Sequence, residues 1–178
     1  MQTIPMDATY EFVSAPKLEM KAFLTALIPN WEDYNLISGE AGLYFEHTFI
    51  GKSLINIEQL SDTLSVSLGE DRNIFIQREK MKDFYKWQTV GSNVVETFAW
   101  KITARNTKDT EVGIIIRDQV PVSQNRDISV DVTEVTGGKR NEETGIVDWK
   151  IKLQPGETRE LILSYSVKYP KGVDVRLD

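Results

Sequence analysis

The sequence predicts an all-β fold, an antiparallel β-sandwich with an immunoglobulin-like C-terminal half, and three observations predict it. Apolar residues recur at period two from end to end. Turns bearing glycine or proline separate the runs at short intervals. Only one short stretch, Asn56 to Leu60, reads as helical. Period two puts alternate side chains on opposite faces of a strand, so one apolar row per strand means one buried face and one wet face.

The rows are clearest in the second half. Leu161, Leu163, Tyr165, Val167 and Tyr169 form one face, alternating with Glu160, Ser164, Ser166 and Lys168. Trp149, Ile151 and Leu153 form another, against Asp148, Lys150 and Lys152. Ile128, Val130 and Val132 alternate with Asp127, Ser129 and Asp131. Phe98, Trp100 and Ile102 make a fourth row, and Val112, Ile114 and Ile116 a fifth. Thr136-Gly137-Gly138-Lys139, Glu143-Thr144-Gly145 and Pro155-Gly156 supply turn residues, and Asn106 to Asp109 is expected to close a hairpin. Residues 93–171 thus read as five strands joined by short turns, the size and spacing of an immunoglobulin-like sandwich.

The first half is less regular. Strands are expected at Thr9 to Ser14, Lys21 to Ile28, Gly42 to Phe45, Thr48 to Gly51, Thr63 to Gly69 and Ile74 to Tyr85. Pro5, Pro16 and Pro29 should fall outside strand interiors, because proline cannot donate to a ladder. A weak boundary at Gly91-Ser92-Asn93 is too short for a free linker. The expectation is one domain over residues 8–172, with two packed sub-sandwiches, 8–90 and 93–171, as its internal division.

Composition bounds function. The chain has 178 residues, 40% hydrophobic and 27% charged, enough for a core without staples. It has no cysteine, which removes disulfides, thiolate nucleophiles and cysteine-held zinc. No apolar run approaches the roughly 18 residues of a membrane helix, so no membrane insertion is expected. Met1 to Tyr10 carries Asp7 and no basic start, unlike a signal peptide. A net charge of −6 argues against nucleic acid as a partner.

His47 is the only histidine, so any histidine chemistry must use it. It sits in Glu46-His47-Thr48, where a tight hairpin turn is expected, and a turn residue accounts for it. No G-x-S-x-G motif supports a serine triad, and Gly137-Gly138-Lys139 lacks the other residues of a phosphate loop. Residues 67–71 and Asn141-Glu142-Glu143 offer oxygens to calcium, but acidic turns are ordinarily solvated. No metal or other cofactor is expected. A carboxylate pair for glycoside hydrolysis remains open among 27 acidic residues, none singled out by spacing.

One stretch stands out. As a single strand, Ile74 to Trp87 would align Arg78, Lys80, Lys82 and Lys86 on the face of Ile74, Ile76 and Phe84. Such a row in an acidic protein suggests a docking stripe for an anionic partner. The simpler alternative is a solvated face paired with acidic residues such as Asp127 and Asp131. Trp31, Tyr34, Tyr85 and Trp87 suggest a second surface, an aromatic platform for sugar.

Several segments carry a resemblance. They are residues 30–53 (NWEDYNLISGEAGLYFEHTFIGKS), 62–71 (DTLSVSLGED), 77–84 (QREKMKDF), 117–123 (RDQVPVS) and 143–171 (ETGIVDWKIKLQPGETRELILSYSVKYPK). On them the chain resembles the C-terminal domain, of unknown function, of mucoidy-inhibitor (MuiA-like) bacterial proteins. The resemblance implies an N-terminal domain and a coiled coil upstream, a periplasmic or envelope location, and a link to exopolysaccharide output without established enzymatic activity. It supplies no catalytic residues, and His47 departs from the glycine or asparagine expected there. The reading is a non-catalytic interaction module binding a protein or an acidic glycan. The alternatives are a carbohydrate-active enzyme using a carboxylate pair and a structural spacer.

Overall fold

The computed structural model describes residues 7–45, 48–57, 63–173 and 175. His47 lies outside them, as does most of the expected helix at Asn56 to Leu60, whose first two residues are irregular.

The described residues are nearly all strand. They form β1 (Thr9–Ala15), β2 (Glu19–Pro29), β3 (Gly39–Phe45), β4 (Thr48–Ile55), β5 (Thr63–Glu70), β6 (Ile74–Lys80) and β7 (Lys86–Val90). There follow β8 (Asn93–Asn106), β9 (Val112–Gln119), β10 (Ser129–Glu134), β11 (Lys139–Arg140), β12 (Ile146–Leu153) and β13 (Thr158–Pro170). Two single turns of 3-10 helix, Trp31–Tyr34 and Lys82–Phe84, interrupt them.

One sheet runs β11-β12-β9-β1-β2-β5, and the other runs β10-β13-β8-β6, with β7 continuing the β6 edge of β8. The hairpin β3–β4 is a separate pair. The two larger sheets share one core. Ile102, Leu163 and Val167 of the second sheet are buried with Ile114, Ile116, Trp149 and Leu153 of the first. Each such side chain stabilises the fold by about 1.5–3 kcal/mol on burial. The apolar rows of β8, β9, β12 and β13 therefore face inward as their period-two pattern predicts.

Three connections differ from the expectation. Asn106 to Asp109 closes no hairpin, because β8 and β9 lie in different sheets. The turns at 136–138 and 155–156 also cross between sheets. A turn motif marks a change of direction but not the strand that pairs next. Asn106 anchors the first crossing: it is fully buried, and its Nδ2 donates to the carbonyls of Thr110 (2.8 Å), Leu153 (3.1 Å) and Gln154 (3.2 Å).

The pairing is also not wholly antiparallel, because β1 runs parallel to β9. Most of the chain separates those two strands, so no tight turn constrains their direction. Gly91 and Ser92 are a hairpin turn, with Val90 opposite Asn93, and both large sheets take strands from either side of it. The segments 8–90 and 93–171 therefore do not form separate sheet pairs.

The turn between β11 and β12 is closely fitted. Gly145 has φ 72°, and its N–H donates to the Asn141 carbonyl at 2.9 Å. A Cβ there would lie 2.3 Å from the Val120 carbonyl oxygen. The left-handed backbone alone costs a non-glycine residue about 1–2 kcal/mol. Gly145→Ala is therefore expected to lower the urea midpoint by at least that energy, and an unchanged midpoint would contradict this packing.

Candidate functional site

The expected basic stripe is broken, and pairing register shows why. Lys80 lies opposite Trp100, while Lys86 lies opposite Thr97. Six residues on one side therefore match three on the other. The three extra residues are taken up around the 3-10 turn Lys82–Phe84. An odd insertion reverses which face each residue occupies. Arg78 and Lys80 share the core-facing side with Ile102 and Trp100, whereas Lys86 shares the outward side with Thr97.

Arg78 is thereby withdrawn from any docking surface. Its Nε donates to Asp118 Oδ2 at 2.7 Å across the two sheets, and its guanidinium carbon lies 3.6 Å from the centre of the Trp100 ring. The Arg78 side chain is 10% exposed and that of Asp118 is 0% exposed. The acidic partner is thus Asp118 on β9. Asp131, suggested by sequence, sits opposite Ser166 on β13 instead.

The rest of the segment forms a lip of rings and lysines. Trp87 lies opposite Glu96, on the side of β8 that also carries Phe98 and Trp100. Phe98 stacks on Tyr165 with ring centres 5.5 Å apart, and Tyr85 tilts against Phe98 at the same distance. The Lys80 ammonium lies 4.8 Å from the centres of both the Tyr85 and Phe98 rings. Glu96 joins the cluster by accepting from the Tyr85 hydroxyl at 2.9 Å and from the Tyr169 hydroxyl. The hydrogen bond to Glu96, then burial, then the charge of Glu96 hold the Tyr85 phenol above its ordinary range.

The lip is open to solvent where it matters for contact. Phe84, Tyr85 and Trp87 are all exposed, as is every residue of β7. Residues 80–87 hold three lysines against one carboxylate, Asp83. Among the described residues, Lys80, Lys82 and Lys86 form no ion pair. Trp31 and Tyr34, also candidates for an aromatic platform, lie instead in the 3-10 turn that leaves β2 of the other sheet. Phe98 is buried in the core, as its apolar row predicts, and Tyr169 packs against that core. The sequence did not single out Glu96, whose two tyrosine partners come from residues 11 and 73 positions away.

The acidic turns that offered oxygens to calcium, where no metal is expected, carry other contacts. Asp71 is bound to Lys108 at 2.5 Å, and Glu70 lies near Lys21 and Arg72. Burial acts to raise the Asp71 carboxyl, but hydrogen bonds from Lys108 and Asn73 outweigh it and hold it below the usual range. Asn141 Oδ1 accepts from the backbone N–H groups of Glu143 and Thr144. Among the described residues, no three acidic or histidine side chains converge as a metal site, and no helix is long and apolar enough to cross a membrane.

Comparison with known proteins places the whole described fold in one family. A family profile described as "Domain of unknown function (DUF4139)" matches residues 3–171. A Caenorhabditis elegans protein described as "Protein F37C4.5" is 25% identical over 186 residues, covering 97% of this chain and 34% of that protein. The chain spans about a third of the length of that relative.

Proposed function

The chain belongs to the DUF4139 family, a domain of unknown function, and from that premise we propose that it is a non-catalytic interaction module. Its partner is an acidic glycan, held by the lip of Lys80, Lys82, Phe84, Tyr85 and Trp87. The carrying observation is that exposed rings and lysines without an ion pair among the described residues occupy one short segment, 80–87, of an otherwise acidic chain. A sugar ring offers a flat C–H face to an aromatic ring, and its carboxylate offers a charge to an ammonium. The one carboxylate inside the aromatic cluster, Glu96, has both oxygens taken by tyrosine hydroxyls. Glycoside hydrolysis by paired acids needs a second, close carboxyl beside the first.

The periplasmic or envelope location, and the link to mucoidy-inhibitor proteins, belong to this reading and are supported by the sequence resemblance alone. The nematode relative is far longer, so whatever a full-length protein does would involve parts beyond this module.

The test is binding to immobilised polygalacturonate, with its neutral methyl ester as control. The native chain should bind the acid form only. Trp87→Ala and Lys82→Glu should each weaken binding about tenfold or more, the scale of one aromatic or charge-assisted contact. Both sites are exposed, so the variants should fold. Retention of binding by both variants would remove the lip as the contact surface. Arg78 is unsuited to this test because its substitution disturbs the core.

A further inference from the structure

We propose that Met20 is a site of reversible oxidation, a thioether clasp between the two large sheets that a hydroperoxide opens. Met20 stands near the start of β2, two residues before Ala22, which is fully buried in the core. Period two puts both residues on the inner side of the strand, so Met20 reaches toward the facing sheet from its rim. There its Sδ accepts the backbone N–H of Arg78 at 3.3 Å. Met20 is also 53% exposed, so a small oxidant can reach its side chain.

The position of Arg78 explains why its N–H takes such an acceptor. β6 ends its side of the second sheet, and among the described residues its strand partner is β8. Alternate N–H groups of an edge strand point away from the sheet and find no ladder partner. The N–H of Arg78 is one of these, and Met20 supplies its acceptor from the other sheet. A thioether is a weak acceptor, but the residue it holds carries strong contacts. The Arg78 side chain is bound to Asp118, Nε to Oδ2 at 2.7 Å, and lies 3.6 Å from the centre of the Trp100 ring. The Asp118 side chain is 0% exposed, and a buried ion pair offsets its desolvation only while its geometry is kept. Displacement of the Arg78 backbone is therefore felt at the buried pair.

The chemical step is an oxygen transfer. A sulfur lone pair attacks one oxygen of the hydroperoxide, the O–O bond breaks and an S–O bond forms. The other oxygen leaves as water or an alcohol, taking its proton from solvent. Sulfur is oxidised by two electrons and the hydroperoxide is reduced by two. The sulfoxide is polar and chiral where the thioether was apolar and flexible, and reductases return it to the thioether. An N–H···O bond is about 2.9 Å long. If the new oxygen serves Arg78, the sulfur must withdraw to make room for it. If the oxygen turns to water, the Arg78 N–H loses its acceptor. Both arrangements open the contact between β2 and β6.

The test treats the 178-residue chain with hydrogen peroxide, reads nitrogen-15 spectra, and locates each added oxygen by peptide mass mapping. Oxygen should appear at Met20 ahead of Met81, which is less exposed. As it does, the Arg78 amide and Trp100 indole signals should shift and the urea midpoint should fall. Methionine sulfoxide reductase should restore all three. Met20→Leu keeps the apolar bulk and removes the oxidisable sulfur. The same treatment should leave its Arg78 and Trp100 signals in place, even with Met1, Met6 and Met81 oxidised. An unmoved Arg78 amide in the Met20 sulfoxide would overturn the clasp, as would equal shifts in Met20→Leu. Oxidation of Met81 before Met20 would overturn the site. Glycan binding at the lip enters none of these readouts, so either proposal can fail without the other.

Discussion

Asp118→Ala is expected to destabilise the protein by about 3–5 kcal/mol, because it would strand the charge of Arg78 between the sheets. Asp118 has no exposed side-chain surface, and the Arg78 side chain keeps only a tenth of its own. The guanidinium donates Nε at 2.7 Å and a terminal nitrogen at 3.4 Å to the two carboxylate oxygens. Its face covers the Trp100 ring, and Asp118 Oδ1 also accepts from the Gln119 N–H at 2.7 Å. Removing the carboxylate breaks all of these except the stacking on Trp100, which cannot solvate a buried cation.

The double variant Arg78→Met with Asp118→Leu separates this from packing. It removes both charges and keeps apolar volume, so most of the lost stability should return, as replacement of buried ion pairs by hydrophobic groups allows. Urea midpoints of the three proteins make the measurement. A loss under about 1 kcal/mol for Asp118→Ala would place the pair in the class of exposed, solvent-screened bridges and contradict its burial.

The same pair marks the limit of what the sequence makes legible. Period two identifies the inward faces of β8, β9, β12 and β13, since those rows are apolar along most of their length. It correctly puts Arg78 on the face of Ile74 and Ile76, yet a cation on that face reads as a solvent stripe. Only the pairing shows Asp118 across from it, 40 residues away. The stripe fails beyond Lys80 because three looped residues change the parity of the strand, and nothing in Met81-Lys82-Asp83 announces a turn as glycine or proline would. Lys139 reads in the sequence only as part of an incomplete phosphate loop. Its neighbours Arg117, Asp148 and Lys150 come from two other strands, which a local motif cannot bring together.

Trp149→Ala should cost a similar 3–5 kcal/mol, by a different mechanism: a cavity at a seam between the sheets. Trp149 is 1% exposed and belongs to β12 of the first sheet. Its Nε1 donates to the Val135 carbonyl at 2.6 Å, in the connection that arrives from β10 of the second sheet. The Gly138 backbone lies directly on the indole, too close for any side chain. Truncation would remove the ring from the core, leave the Val135 carbonyl without this donor, and take away the support of the turn that leads into β11. Trp149→Phe keeps most of the ring area and loses only the N–H, so its cost should be much smaller, nearer the roughly 1 kcal/mol of one hydrogen bond with some misfit. A denaturant midpoint near that of the native chain for Trp149→Ala would mean the indole is not in the core.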